Sequence, residues 1–131
     1  MHQDIQIATE ALRDAQEYRA KWMMRISAGE ASVFDVILAA KQPYAEALYK
    51  IRLESLLALD PLVNRRRQLI LQRTVDLTYY GKRVLNLNKL SVGWLLSPRY
   101  KSSFRLDTFV DAYLTFAKIG DSVTERFPWT Y

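Results

Sequence analysis

The stretch that decides the fold is Lys50-Ile51-Arg52-Leu53-Glu54-Ser55-Leu56-Leu57-Ala58-Leu59-Asp60-Pro61-Leu62-Val63-Asn64-Arg65-Arg66-Arg67. Its first ten residues are those of a short buried helix, 50–59, whose Ile51, Leu53, Leu56 and Leu57 face inward together with the upstream Leu48. Asp60-Pro61 stops it, because a residue before proline is driven out of the helical region. The same pair opens the next helix, with Asp60 as its cap and Pro61 at the first helical position, where a missing N–H costs nothing. That second helix is expected to run to about Val75, with Leu62, Leu69, Ile70 and the stem of Arg66 toward the core. On a regular helix Arg65, Arg66 and Arg67 fan over about 200° of circumference, so at least two of them must meet solvent or a ligand.

Working outward, the rest of the chain reads as helices with short joints. It has 131 residues, half of them hydrophobic, with 4 Gly and 4 Pro, a composition that excludes a linker-rich or disordered chain. A long first helix is expected over 4–27, with Ile5, Ala8, Leu12, Ala15, Tyr18, Trp22 and Ile26 on one side and Arg13, Glu17, Lys21 and Arg25 on the other. Ala28-Gly29 ends it. Ser32 and Asp35 form the capping box of a second helix that ends before Pro43, and a short helix follows from Tyr44. After the arginine triplet comes a structured loop through Tyr79-Tyr80-Gly81-Lys82-Arg83. A short helix over about 89–96 follows, capped by Asn88 and closed by Pro98. Last is a helix from Phe104 to Ile119, capped by Ser103 and stopped by Gly120. Its stripe of Leu106, Phe109, Val110, Tyr113, Leu114 and Ala117 is expected to pack back onto the first helix. A homodimer seam or a protein partner is the competing use of this C-terminal extension, 97–131. The aromatic end Phe127-Pro128-Trp129-Thr130-Tyr131 suits a groove of the same domain or of a partner.

Charge is divided unevenly along the chain. Formal net charge is −2 over residues 1–60, +6 over 61–90 and +1 over 91–131. A positive field concentrated in thirty residues is the footprint of a polyanion partner, nucleic acid first; a solvated face is the bland alternative. Chemistry is constrained from the other side. Cysteine is absent and the single histidine is His2, which removes thiolate metal sites, cysteine nucleophiles and an imidazole base in the core. Residues 61–90 hold Asp76 as their one carboxylate, too few for a two-metal nuclease. Asp4, Glu10, Asp14 and Glu17 lack histidine partners and read as solvated charge. No enzyme activity, cofactor or metal is expected. The longest apolar run, Val36 to Ala40, is far below the ~20 residues of a membrane span, and Asp4 and Glu10 interrupt the first stretch, so a cytoplasmic protein is expected.

Several blocks, in order, resemble the actinobacterial (mycobacterial-type) integration host factors. Arg25-Ile26 and Ala31-Ser32-Val33-Phe34-Asp35-Val36-Ile37 look like the joint after their long N-terminal helix. Residues 50–67 are similar to their helix–two-turn–helix core. Lys82-Arg83-Val84-Leu85-Asn86-Leu87 sits where that family has an arginine-rich loop, and Trp94-Leu95 ends a short helix with a counterpart there. The likeness spans roughly residues 16–96. It implies an all-α, nucleoid-associated protein (integration host factor-like domain 1–96, core about 44–96) that binds and bends double-stranded DNA and supports phage integration. It also implies DNA contacts at Lys82 and Arg83 and at the turn Leu62-Val63-Asn64-Arg65; Leu85 replaces a family arginine, and the family turn is glycine-rich at Leu62 and Asn64. From the residues themselves, the free amides of a helix start at Pro61–Asn64 and the guanidinium groups of Arg65, Arg66 and Arg67 suit phosphate. Such contacts carry little sequence information. Arg73 and Lys89 are expected to be solvated or paired with surface acids, Tyr79 and Tyr80 to pack, with stacking on bases or lying along a minor groove as the alternative, and Trp22 and Trp94 to lie in the core. Arg99, Lys101 and Arg105 could lengthen the footprint. Structured RNA, or a protein partner for the C-terminal aromatic helix, are the alternatives.

Overall fold

A computed structural model describes residues 2–97 and 104–117. They form an all-α domain of six helices: α1 (His2–Ser27), α2 (Val33–Ala40), α3 (Leu53–Leu59), α4 (Arg67–Tyr79), α5 (Val92–Leu95) and α6 (Phe104–Phe116). Short 3₁₀ turns occupy Glu46–Lys50, Asn64–Arg66 and Leu87–Lys89. No helix among them is long and apolar enough to cross a membrane.

Local chemistry sets the joints. Gly29, at φ +78°, closes α1: Glu30 N–H reaches back to the Arg25 carbonyl at 2.8 Å, the six-to-one bond of a Schellman end. Ser32 and Asp35 make the reciprocal capping box of α2, at 3.2 Å and 2.8 Å. The 50–59 segment divides where a helix was expected throughout. Ile51 and Arg52 are extended, and Arg52 pairs antiparallel with Ser91 in a single bridge, flanked by Leu53 N–H to the Leu90 carbonyl and Val92 N–H to the Ile51 carbonyl, both 2.9 Å. Alternation then buries Ile51, Leu53, Leu90 and Val92 and turns Arg52 outward. The short helix after the loop starts later than expected. Asn86 caps the 3₁₀ turn, and Ser91, accepting from Trp94 N–H at 3.1 Å, caps α5.

Two packing expectations are corrected. The apolar stripe of α1 faces the core along its C-terminal part, through Tyr18, Trp22, Met23 and Ile26. Ile5 and Leu12 are 64% and 53% exposed, because a helix of 26 residues is about 39 Å long and overshoots the turn at 46–50 and the helix α3 on which it rests. The C-terminal helix packs chiefly along α4 and not on α1. Phe109 and Ala112 are fully buried there, the hydroxyls of Thr78 and Thr108 meet at 2.8 Å, and Phe34 of α2 stands edge-on to Tyr113 at 4.7 Å. Leu114 lies outside this contact. The expected cap Ser103 and stop Gly120, the aromatic end, Arg99 and Lys101 lie outside the described residues.

Candidate nucleic-acid interface

The turn between α3 and α4 is built on Asp60. Its carboxylate is buried; one oxygen accepts Leu62 N–H at 2.9 Å and the other accepts the Tyr113 hydroxyl at 2.5 Å. Its carbonyl accepts Val63 N–H at 3.2 Å and Asn64 N–H at 2.9 Å. Burial, and then the bond to Asp60, push the Tyr113 phenol well above its ordinary value. The pair fastens the turn to α6.

This anchoring corrects the expected helix start. Asp60 does not cap a helix beginning at Pro61; it closes an Asx turn two residues on. The chain then makes the 3₁₀ turn Asn64–Arg66, and the α-helix begins at Arg67, six residues later than proline placement suggests. It also ends later, at Tyr79. The starting point moves because the side chain of Val63 is needed in the core, where it is 1% exposed. The expected amide cradle is corrected with it. Leu62, Val63 and Asn64 donate to Asp60, and Arg66 donates to the Val63 carbonyl at 2.8 Å, so these four N–H groups are spent inside the protein. Val63 is buried, which leaves its side chain out of a ligand's reach, whereas Leu62 is half-buried. Leu69 is 54% exposed, outside the core expected for it.

The three arginines have three environments. Arg65 is exposed and makes no hydrogen bond or ion pair among the described residues. Arg66 is half-buried and donates to the Phe116 carbonyl near the end of α6 at 3.0 Å. Arg67 is held internally, by Glu54 at 2.7 Å and the Asn64 carbonyl at 2.5 Å. Sequence spacing gave no hint that Glu54, on the other side of the turn, would neutralise one member of the triplet. Pro61, Leu62, Asn64, Arg65 and Arg66 line a cleft of about 390 Å³, so the exposed guanidinium stands at the rim of a concave surface.

Lys82 and Arg83 lie past the other end of α4. That helix has 13 residues, which separates its ends by about 20 Å. Tyr80 (φ 55°) and Gly81 (φ 74°) turn the chain in left-handed conformations. Beyond them Lys82, Arg83 and Val84 are exposed, Val84 at 99%. Arg83 lies 5.2 Å from the centre of the Tyr79 ring. Tyr79 is packed, as expected, whereas Tyr80 is 79% exposed. The chain then returns along α4, and Asn88 Oδ1 accepts from the Gln68 amide at 3.2 Å. The two sequence-predicted cation groups therefore flank one helix and do not merge into one patch. Arg73 is paired with Asp111 at 3.1 Å, and Lys89 is exposed. Arg105 serves the core and not a footprint: it donates to the Trp94 carbonyl at 2.9 Å and the Tyr79 hydroxyl at 3.2 Å, with its guanidinium over the Trp94 ring. Trp22 and Trp94 are half-buried against the core.

No group of three or more potential metal-ligating side chains is present among the described residues. Compared with protein-family models, with curated proteins and with solved structures, the chain matches none.

Proposed function

We propose that this chain is an architectural protein that binds duplex DNA through its phosphate backbone, bends or organises it, and works without catalysis. The observation that carries the reading is the cleft at the α3–α4 turn, rimmed by the exposed Arg65 and by Arg66 on a backbone made rigid by Asp60. Side-chain guanidinium groups, and not backbone amides, supply the grip. Their paired donors fit phosphate oxygens better than an ammonium does. Lys82 and Arg83, about 20 Å away along α4, reach a second point of the duplex, a span that suits crossing a groove about 12 Å wide with its two flanking rails. Contacts of this kind favour deformable DNA over a particular sequence. The likeness to the integration host factors of actinobacteria, and with it a nucleoid location and a role in phage integration, belongs to the same proposal.

The test is an electrophoretic shift assay on random duplex over a salt series. Contacts from Arg65, Lys82 and Arg83 give a log–log slope of about −2.7 or steeper. A flat response removes the mechanism. A strong preference for structured RNA in competition redirects it to RNA.

A further inference from the structure

The bridge between Arg52 and Ser91 does more than close the core. In this antiparallel pair the flanking residues point inward, and Arg52 and Ser91 sit opposite each other on the outer face. Lys89, two residues before Ser91, is exposed as well. Neither the Arg52 guanidinium nor the Lys89 ammonium makes a hydrogen bond or ion pair among the described residues. Glu54, two residues after Arg52, is taken by Arg67, so it does not cancel the charge of Arg52.

We propose that Arg52 and Lys89 form a second backbone-contact patch for the same duplex, continuous with the α3–α4 turn; this rests on the DNA-binding reading above. Three ties make the surface continuous. The bridge joins Arg52 to the 89–92 stretch. The Gln68–Asn88 hydrogen bond joins that stretch to α4 one turn beyond Arg65. The Arg67–Glu54 bridge joins the start of α4 to α3. Cations on backbone held this way lose less freedom on meeting phosphate than cations on an open loop. The patch takes the phosphodiester rail, with no reading of base edges.

The experiment compares the whole protein with the double variant Arg52→Ala/Lys89→Ala on one random duplex, by anisotropy over a salt series, with Arg65→Ala alongside. Losing two phosphate contacts makes the slope shallower by about 1.8 and weakens binding about 30-fold at 0.15 M salt. The charge-keeping pair Arg52→Lys/Lys89→Arg retains the slope. Both residues are exposed, so the thermal midpoint of the double variant stays unchanged, which separates lost contact from lost fold. If the double variant keeps wild-type affinity and slope while Arg65→Ala weakens binding, the patch is overturned and the DNA reading stands. If the wild type binds no duplex, both fall.

Discussion

The two ends of α4 bring cations to the surface in opposite ways. At its N-terminal end a buried carboxylate, Asp60, uses up the turn's amides, and the fold absorbs Arg67 and engages Arg66, leaving Arg65 as the exposed member without a partner. At its C-terminal end two left-handed residues throw the chain outward, and Lys82 and Arg83 are both exposed. Charge counted along a sequence therefore overstates charge available to a ligand wherever the backbone is tightly organised. The rigid end offers few cations in fixed places, and the open end offers more on a backbone with less support.

Breaking the rigid end should give the largest effect. Asp60→Ala leaves the Tyr113 hydroxyl and the Leu62 N–H without partners in a buried setting, a loss of about 3 kcal/mol in stability, read by urea denaturation. The cleft and its DNA affinity should go with it. The comparison can then be sharpened by removing cations from each end. At 0.15 M salt, Arg65→Ala should weaken duplex binding about fivefold and Lys82→Ala/Arg83→Ala about 30-fold, the values for one and two phosphate contacts. A smaller loss than this at the loop would show that the open end contributes less per cation than the rigid one.

The sequence foretold the elements better than their contacts. The all-α class, the capping box at Ser32 and Asp35, the stop at Gly29 and the buried Leu48, Leu53, Leu56 and Leu57 follow from periodicity and cap chemistry, which are local. Three things that depend on distant partners escaped it. Asp60 looked like a helix cap because Tyr113, 53 residues away, was invisible as its partner. Arg105 looked like surface charge, although Trp94 and Tyr79 hold it. The apolar stripe of α6 gave no sign of whether α1 or α4 would cover it, since any apolar face of that length satisfies the pattern. For the candidate site, the sequence located the cationic segments but could not say which guanidinium groups remain available.

The Asp60–Tyr113 link also gives the rigid end a pH dependence. The phenol releases its proton at 10.0 when unfolded and only at a higher pH when folded. Below pH 10 its contribution to stability is complete. Above it the unfolded chain binds fewer protons than the folded one, so stability falls as pH rises, by up to about 1.4 kcal/mol per pH unit from this group. Tyr113→Phe should remove that part of the alkaline decline, measured by urea titrations at pH 9 to 12, while costing stability at neutral pH by stranding Asp60.

The smallest expected effect lies at the open end. Tyr80 holds a left-handed backbone at φ 55° with its side chain 79% exposed. A side chain in that region pays about 1 kcal/mol or more that glycine avoids, and the exposed ring has little packing to lose. Part of the gain is cancelled because glycine has more freedom to give up on folding. Tyr80→Gly should therefore stabilise by about 0.5 kcal/mol, seen as a small rise in the thermal midpoint with duplex affinity unchanged. If affinity falls instead, the ring itself contacts DNA, and the open end binds by stacking as well as by charge.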